Sequence, residues 1–96
     1  MKASKTIKTG SPVKIFKALA DPTRLSLVRE LVTCPTHIKS CDELSSKSLL
    51  SQPAMSHHFS KLAEAGVIIE NKYGTQKSYK LNSELMASCG IDTSKI

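Results

Sequence analysis

Apolar residues recur at helical spacing in two consecutive segments of the first third of the chain. In the first segment, Ser11 and Pro12 offer an N-cap and a first-turn proline ahead of four apolar residues, Ile15, Phe16, Leu19 and Ala20. Asp21 and Pro22 repeat this start signal, and the apolar face that follows consists of Leu25, Val28, Leu31 and Val32, with Leu27 at its border. The pattern predicts two helices, the second ending near Cys34 because Pro35 cannot continue it.

The strongest helix signal lies further along, between Ser51 and Gly66. Ser51 suits an N-cap, Pro53 is tolerated in a first turn, and Gly66 suits the left-handed residue that closes many helices. The stretch before this helix is weakly patterned. There we expect a connector at residues 36 to 39 and a short helix at residues 42 to 48.

The last third of the chain changes from helical to β-type patterning and back. Two β-prone runs, VIIE and KSYKLN, flank the turn NKYGTQ, in which Gly74 permits positive φ, so a hairpin is predicted. Leu85, Met86 and Cys89 then indicate a short terminal helix introduced by Asn82 or Ser83. This order of elements predicts a mainly α protein with a small β-hairpin, an α+β fold that matches a winged helix-turn-helix.

Composition gives the boundaries of this domain. Residues 1 to 10 carry three lysines and no acidic residue, which predicts a flexible basic arm. Residues 11 to 92 would form the winged helix-turn-helix domain for DNA binding and dimerisation, and residues 93 to 96 a tail. A chain of 96 residues buries a limited fraction of its surface, so a partner subunit would add stability.

The charge and the motif content restrict the class of protein. Fourteen Lys and Arg against eight Asp and Glu give a net charge of +6, which favours a polyanionic partner, most simply nucleic acid. No apolar run approaches the roughly 18 residues of a membrane span, and the lysine-rich start precedes no signal-peptide core, so we expect a cytoplasmic protein without a membrane partner. No Ser–His–Asp arrangement, Gly-rich phosphate loop or paired carboxylate indicates an enzyme or a cofactor.

The predicted helix after Ser51 has two chemically different sides. At about 100° per residue, Met55, Phe59 and Leu62 share the side that must face a core. The other residues around it are polar or small: Pro53, His57, Ser60, Lys61 and Glu64 lie opposite, Ser56 lies on a flank and Gln52 at the N-terminal end. Gln, Ser and His can exchange hydrogen bonds with base edges, and the helix N-terminus suits a phosphate. The alternatives are a solvated face whose serines bond to the preceding turn and, for His58 beside the core stripe, a structural role.

Three motifs carry a resemblance to a known family. The segments KALADPTRLSLVREL, LSQPAMSHHFSKLAEAGVI and GTQKSYKLN resemble the ArsR/SmtB family of bacterial winged-helix repressors over about residues 13 to 85. The resemblance implies a homodimer that binds a palindromic double-stranded DNA operator and releases it when an inducer, often a metal ion, binds. A winged helix that serves as a protein-interaction module is the rival hypothesis, but such a module would expose an apolar patch on this helix.

The resemblance also implies roles for individual residues. Gln52, Ser56 and His57 would contact bases, Pro53 the groove wall, and Lys61, Lys72 and Lys77 phosphates; Ser60 shares their face. The dimer contact would come from the first helix and the terminal segment, through Ile15, Phe16, Leu19, Leu85, Met86 and Ile91, partly because one small core cannot cover all of these apolar residues.

The inducer is not identified by the sequence. Metal sensors of this family often carry Cys-x-Cys-Asp-Leu at the third helix, whereas this chain has KSCDEL, with Lys39 in place of the first cysteine, and no histidine on its last helix. A metal site is not predicted; the residues that could still supply one are Cys34, His37, Cys41 and Cys89. Redox pairing of Cys34 with Cys41 and a regulator without any ligand are the other readings of this region.

Overall fold

The computed structural model describes residues 12 to 46 and 49 to 96. The helices of these residues are α1 (Pro12–Leu19), α2 (Pro22–Thr33), α3 (Cys41–Ser45), α4 (Gln52–Ala65) and α5 (Ser83–Ser88), and Thr93–Lys95 form a single 3-10 turn. The strands are β1 (Ile38–Ser40), β2 (Ile68–Tyr73) and β3 (Gln76–Leu81). The predicted winged helix-turn-helix is confirmed, with α3 and α4 as the helix-turn-helix and the β2–β3 hairpin as the wing. The predicted arm and the Ser11 cap lie outside the described residues.

Capping residues set the ends of α2 and α4 where the sequence predicts them. The Asp21 carboxylate accepts a hydrogen bond from the Arg24 backbone N–H at 3.0 Å, and Ser51 Oγ accepts one from the Ala54 N–H at 3.3 Å. Gly66 ends α4 in the left-handed region at φ 85°. Its N–H and that of Val67 donate to carbonyls of the last turn of α4, which turns the chain directly into the wing.

One hydrophobic core joins the helices to the inner face of the sheet. Its members come from every helix and from both strands of the wing: Ile15, Ala18, Leu27, Val28, Leu31, Leu44, Met55, Phe59, Leu62, Ala65, Val67, Ile68, Tyr79, Leu81 and Met86. The predicted apolar face of α2 is wrong in one respect. Leu27 is a core residue, whereas Leu25 and Val32 are only half-buried, because α2 is packed against α1, α4 and β3 at once. On α1, Ile15 and Ala18 face the core, and Phe16, which is predicted for a dimer contact, is 54% exposed.

The sheet has three antiparallel strands in the order β1-β3-β2. Ile38 and Lys39, predicted as part of a connector, form β1 together with Ser40 and pair with β3 in the register Ile38↔Lys80, Lys39↔Tyr79 and Ser40↔Ser78. That prediction is wrong because a three-residue strand is too short to show alternation, and its partner lies about 40 residues away in sequence. The predicted wing hairpin is confirmed, with Gly74 at φ 64° in its tight turn.

A reciprocal pair of hydrogen bonds starts α3. Ser40 Oγ accepts from the Glu43 N–H at 3.1 Å, and a Glu43 carboxylate oxygen accepts from the Ser40 N–H at 3.0 Å. Because this capping box fixes the start, α3 begins at Cys41 rather than Asp42, and its last helical residue is Ser45. Residues 47 and 48, in the predicted continuation of this helix, lie outside the described residues.

The chain after the wing packs back on the core. Asn82 caps α5 as predicted: its side-chain oxygen accepts from the Leu85 N–H, and its side-chain amide donates to the Gly66 carbonyl at 2.9 Å. Residues 93 to 96, predicted as a tail, include the 3-10 turn, and Ile96 packs partly buried against the core. None of the helices within residues 12 to 46 and 49 to 96 is long and apolar enough to cross a membrane.

Two residues predicted for the dimer contact lie elsewhere. Ile15 and Met86 are 0% exposed within the single chain, because α1 and α5 turn these side chains into the core. Their assignment to a surface contact is therefore wrong. The other four residues predicted for this contact keep accessible surface: Phe16 and Leu19 on α1, Leu85 on α5 and Ile91 just after it.

Candidate nucleic-acid interface

Helix α4 separates its apolar and polar residues as the 3.6-residue period requires. Met55, Phe59 and Leu62 are buried, each at 3% exposure or less. All the side chains predicted to contact DNA from this helix are exposed: Gln52, Pro53, Ser56, His57, Ser60 and Lys61. The sequence therefore predicted the accessible surface of this helix correctly.

The exposed glutamine and serines of α4 have no hydrogen-bonding role among the residues that the structure describes. Within the part of the chain that the structure describes, Gln52, Ser56 and Ser60 make no side-chain hydrogen bond or ion pair. Folding does not require these donors and acceptors, so they are available to a partner. The structure does not support the alternative in which these serines bond to the preceding turn of the helix.

The two adjacent histidines of α4 differ in environment. The His58 side chain is only 17% exposed, with Nδ1 at 3.3 Å from the Arg24 guanidinium and 3.8 Å from the Asp21 carboxylate. The hydrogen bond from the Arg24 backbone N–H, with the nearby charges of Arg24 and His58, holds the pKa of Asp21 below its usual value. His57 is exposed, and its ring lies 6.0 Å from the His58 ring between centroids, with the two planes 63° apart. His58 therefore ties α4 to α2, while His57 faces solvent.

An aromatic stack holds the wing against α4. The rings of Phe59 and Tyr79 lie 4.5 Å apart between centroids with planes 22° apart. Burial, together with the negative charge of Glu70, raises the pKa of Tyr79 to about 12, so the phenol stays neutral. The base of the wing and the middle of α4 therefore form one packed unit.

The wing carries an opposed pair of positive charges next to α4. Lys72 and Lys77 are direct cross-strand partners, and both are exposed. They share the sheet face of Ile68 and Tyr79, which is the face turned toward the helices. Like charges directly opposite one another destabilise a hairpin. An anion bound between them would remove that repulsion.

A cleft of about 370 Å³ separates the wing from the first turns of α4. Gln52 and Ser56 line its helix side, and Thr75, Gln76 and Lys77 line its wing side. Thr75 and Gln76 were not predicted as part of this site. The two-residue turn at Gly74 could have indicated them, because such a turn places its neighbouring residues at the tip of the wing.

The candidate sensing residues take part in local structure. Cys34 Sγ lies 3.5 Å from Thr36 Oγ1 and 3.4 Å from the Ile38 carbonyl, and the Thr36 hydroxyl is the main cause that lowers the pKa of this thiol. His37 adopts φ 59°, and its Nδ1 lies 3.0 Å from the Leu31 carbonyl oxygen. Cys41 contacts Ser45, and Cys89 ends α5.

These residues do not assemble a metal centre in the part of the chain that is described. Across residues 12 to 46 and 49 to 96, no three His, Cys, Asp or Glu side chains come together in a group that could hold a metal ion. Lys39, which stands where metal sensors of the resembled family have a cysteine, forms an ion pair with Glu30 at 3.5 Å. The charge of this lysine on β1 is therefore directed at helix α2 of the same chain.

The fold and this surface define a winged helix-turn-helix protein with a polar recognition helix. No family model matches the chain. It is 35% identical to the arsenical resistance operon repressor of Staphylococcus xylosus over 75% of this chain and 66% of that protein, and 32% identical to the HTH-type transcriptional regulator Rv2034 of Mycobacterium tuberculosis over 85% and 74%. A solved ArsR family transcriptional regulator, RHA00566, superposes with a TM-score of 0.72 at 26% identity, covering 80% of this chain and 76% of that one.

The chain belongs to the ArsR family of helix-turn-helix transcriptional regulators. This confirms the resemblance found in the sequence, and it agrees with the prediction that the protein is not an enzyme, since the relatives are transcriptional regulators. The chain spans 57 to 66% of the length of the three arsenic-resistance regulators that it matches.

Proposed function

We propose that this protein is a homodimeric transcriptional repressor that binds an inverted-repeat operator in double-stranded DNA. The observation that carries this function is the exposed face of α4, whose polar side chains have no hydrogen-bonding role in the described chain, beside a wing with two opposed lysines. Two relatives are named as repressors of arsenical resistance operons, which supports repression as the outcome of binding. Such a protein would act in the cytoplasm without a bound cofactor.

The exposed residues divide into base-reading and phosphate-binding groups. Gln52, Ser56, His57 and Ser60 carry donors and acceptors that match base edges in the major groove, and Pro53 would lie against its wall. Lys61, Lys72 and Lys77 carry charge without a fixed hydrogen-bonding plane, which suits phosphates. The cleft between α4 and the wing lets Lys77 reach a backbone while Gln52 and Ser56 reach bases.

Accessible apolar surface on α1 supports a homodimer. Val13 is 64% exposed and Phe16 is 54% exposed, and both lie on the side of α1 turned away from the core. Leu19, Leu85 and Ile91 are partly buried residues at the edge of the same core. Burying these residues against a second copy would add the apolar area that a domain of this size needs.

Selection of bound sequences from a random DNA library tests the function. A two-fold protein places its two recognition helices one helical turn apart, so the library should yield inverted repeats with half-site centres about 10 base pairs apart, or a multiple of that spacing. Sedimentation of the protein alone should show a dimer at micromolar concentration. A library without an enriched sequence would contradict the function, and a stable monomer would contradict the homodimer.

A further inference from the structure

A second groove lies on the side of α4 away from the wing. Helix α1 packs against α4 there, and a space of about 270 Å³ remains open between them. We call this space the α1–α4 groove; the residues that line it are Lys14, Lys17, Ala18, Arg24, Lys61, Glu64 and Ala65. Four of these seven side chains are cationic and one is acidic.

The four cations are not equally available. Arg24 Nε donates to the Ala18 carbonyl at 2.7 Å, and its guanidinium contacts His58, so this side chain is engaged in structure. Lys14, Lys17 and Lys61 are exposed, and none of them forms an ion pair with any described residue. Glu64 offsets one charge. The groove therefore presents a net positive surface made mainly by lysines that no structural contact requires.

The groove and the wing lie on opposite flanks of the recognition helix. Ser56 and Lys61 are about 140° apart around α4, since five residues advance the helix by about one turn and two fifths. Ser56 lines the cleft beside the wing, whereas Lys61 lines the α1–α4 groove. A helix in the major groove has a phosphate backbone on each side, about 12 Å apart across the groove. The protein has positive charge on both of the corresponding flanks.

We propose that the α1–α4 groove, through Lys14 and Lys17 together with Lys61, binds backbone phosphates of the DNA strand opposite the strand contacted by the wing. The proposal rests on the proposed function, because it requires α4 in the major groove. It gives α1 a second role: one side supplies apolar surface to a partner subunit, and its lysines supply charge to DNA. Each recognition helix is then held between two backbones, which fixes its depth and orientation in the groove.

The experiment compares two double variants with the same net charge. Lys14→Gln with Lys17→Gln removes the two groove lysines of α1, and Lys80→Gln with Lys95→Gln removes two exposed lysines elsewhere, so both lower the net charge from +6 to +4. Affinity for the selected operator is measured from 50 to 300 mM salt. The groove variant should flatten the slope of log affinity against log salt by about 3.6 for the dimer, or about 0.9 for each of its four lost phosphate contacts. At 0.1 M salt, the groove variant should lose more than about tenfold in affinity, for operator and random DNA alike.

Hydroxyl-radical footprints of the same complexes add a strand-specific readout. The groove variant should lose protection on one strand beside each half-site, while protection on the wing side remains. Urea unfolding of both variants should match the parent, because the substitutions lie at exposed positions. A groove variant that folds and keeps the parent slope and footprint would overturn the proposal while leaving the proposed function intact. A parent protein that selects no DNA sequence would overturn both.

Inorganic phosphate separates DNA phosphates from free phosphate as the occupant. In the absence of DNA and at constant ionic strength, titration with inorganic phosphate should show no saturable binding to the parent that the groove variant lacks. Saturable phosphate binding that is present in the DNA-free parent and absent from the groove variant would make the groove a free-anion site, and would contradict its assignment to the DNA backbone.

Discussion

Helix α4 and the segment from Cys34 to Ser46 are both rich in polar side chains, histidine and serine, but they use them differently. In the segment, Ser40 and Glu43 cap α3, Lys39 pairs with Glu30, and Cys34 and His37 bond to nearby groups of the same chain. On the outer face of α4, the corresponding side chains make no such bonds with the described residues. A polar composition therefore does not identify a binding surface by itself. The absence of a structural role for those polar groups is the informative observation.

The two regions also differ in the contacts that hold them in place. The inner face of α4 is fixed by core packing and by the stack of Phe59 on Tyr79, so its outer face is presented with a defined orientation. The segment from Cys34 to Ser46 is held by short-range hydrogen bonds, by the pairing of β1 with β3 and by one side chain in the core, that of Leu44. Substitutions on the inner face of α4 should therefore lower the stability of the fold, whereas substitutions on its outer face should weaken DNA binding.

The largest expected effect is on the inner face of α4. Phe59→Ala should lower the free energy of unfolding by about 3 to 5 kcal/mol, because it leaves a cavity beneath the wing and removes the aromatic stack. Ser60→Ala, the next residue on the exposed face, is the matched control and should change stability by less than about 0.5 kcal/mol. Urea unfolding measures both. Similar losses in the two variants would show that the two faces of α4 do not differ as described.

The wing lysines should affect binding without affecting sequence preference. Lys72→Gln or Lys77→Gln should each weaken binding to operator and to random DNA alike, by about tenfold at low salt, and flatten the salt slope by about 1.8, or about 0.9 for each of the two phosphate contacts that the dimer loses. Each change also removes a repulsive cross-strand pair, so the hairpin should become no less stable. Titrations of both DNAs at several salt concentrations give the slopes. A loss confined to the operator would instead assign the wing to base reading.

The Asp21 cap should contribute a smaller, pH-dependent amount of stability. Asp21→Ala should lower the free energy of unfolding by about 1 kcal/mol at pH 7, whereas Asp21→Asn retains a capping oxygen and should lose less. Because the pKa of Asp21 in the folded state lies below its ordinary value of 3.8, its ionised form favours the folded state. The extra stability of the parent over the Asn variant should therefore be complete above pH 3.8. It should decline as the pH falls through the lowered pKa of Asp21 in the folded state. A difference that stays constant from pH 6 to pH 2.5 would argue against this role of the carboxylate.

The smallest effect is expected from the cysteines. A Cys34→Ser, Cys41→Ser, Cys89→Ser variant should bind the operator within about threefold of the parent, or about 0.65 kcal/mol, because none of the three belongs to the exposed face of α4. Common divalent metals should change the affinity of the parent by less than about threefold as well. A tenfold loss with zinc, arsenite or peroxide that disappears in the triple variant would make the segment a sensor and reverse the comparison.

Sequence reasoning succeeded where local chemistry determines the structure. The caps at Asp21 and Ser51, the left-handed Gly66 and the hairpin at Gly74 each depend on a few adjacent residues, and all were predicted. The exposed face of α4 was also predicted, because the helical period alone separates it from the core face.

The missed features depend on contacts between distant parts of the chain. Strand β1 exists because β3 pairs with it, and Leu27 is buried because three other elements meet on α2. The α1–α4 groove follows from the packing of α1 against α4, which brings Lys14 and Lys17 close to Lys61. No local pattern contains that information.

The most direct test of the DNA-reading face is the affinity of His57→Ala for the selected operator and for random DNA of equal length. The His57 side chain is exposed, and its ring lies 6.0 Å from that of His58 between centroids, so its removal should leave folding intact. We predict a loss of about 1 to 3 kcal/mol on the operator and little change on random DNA, so that the ratio of the two affinities falls. A ratio unchanged from the parent would contradict the claim that this face reads DNA sequence.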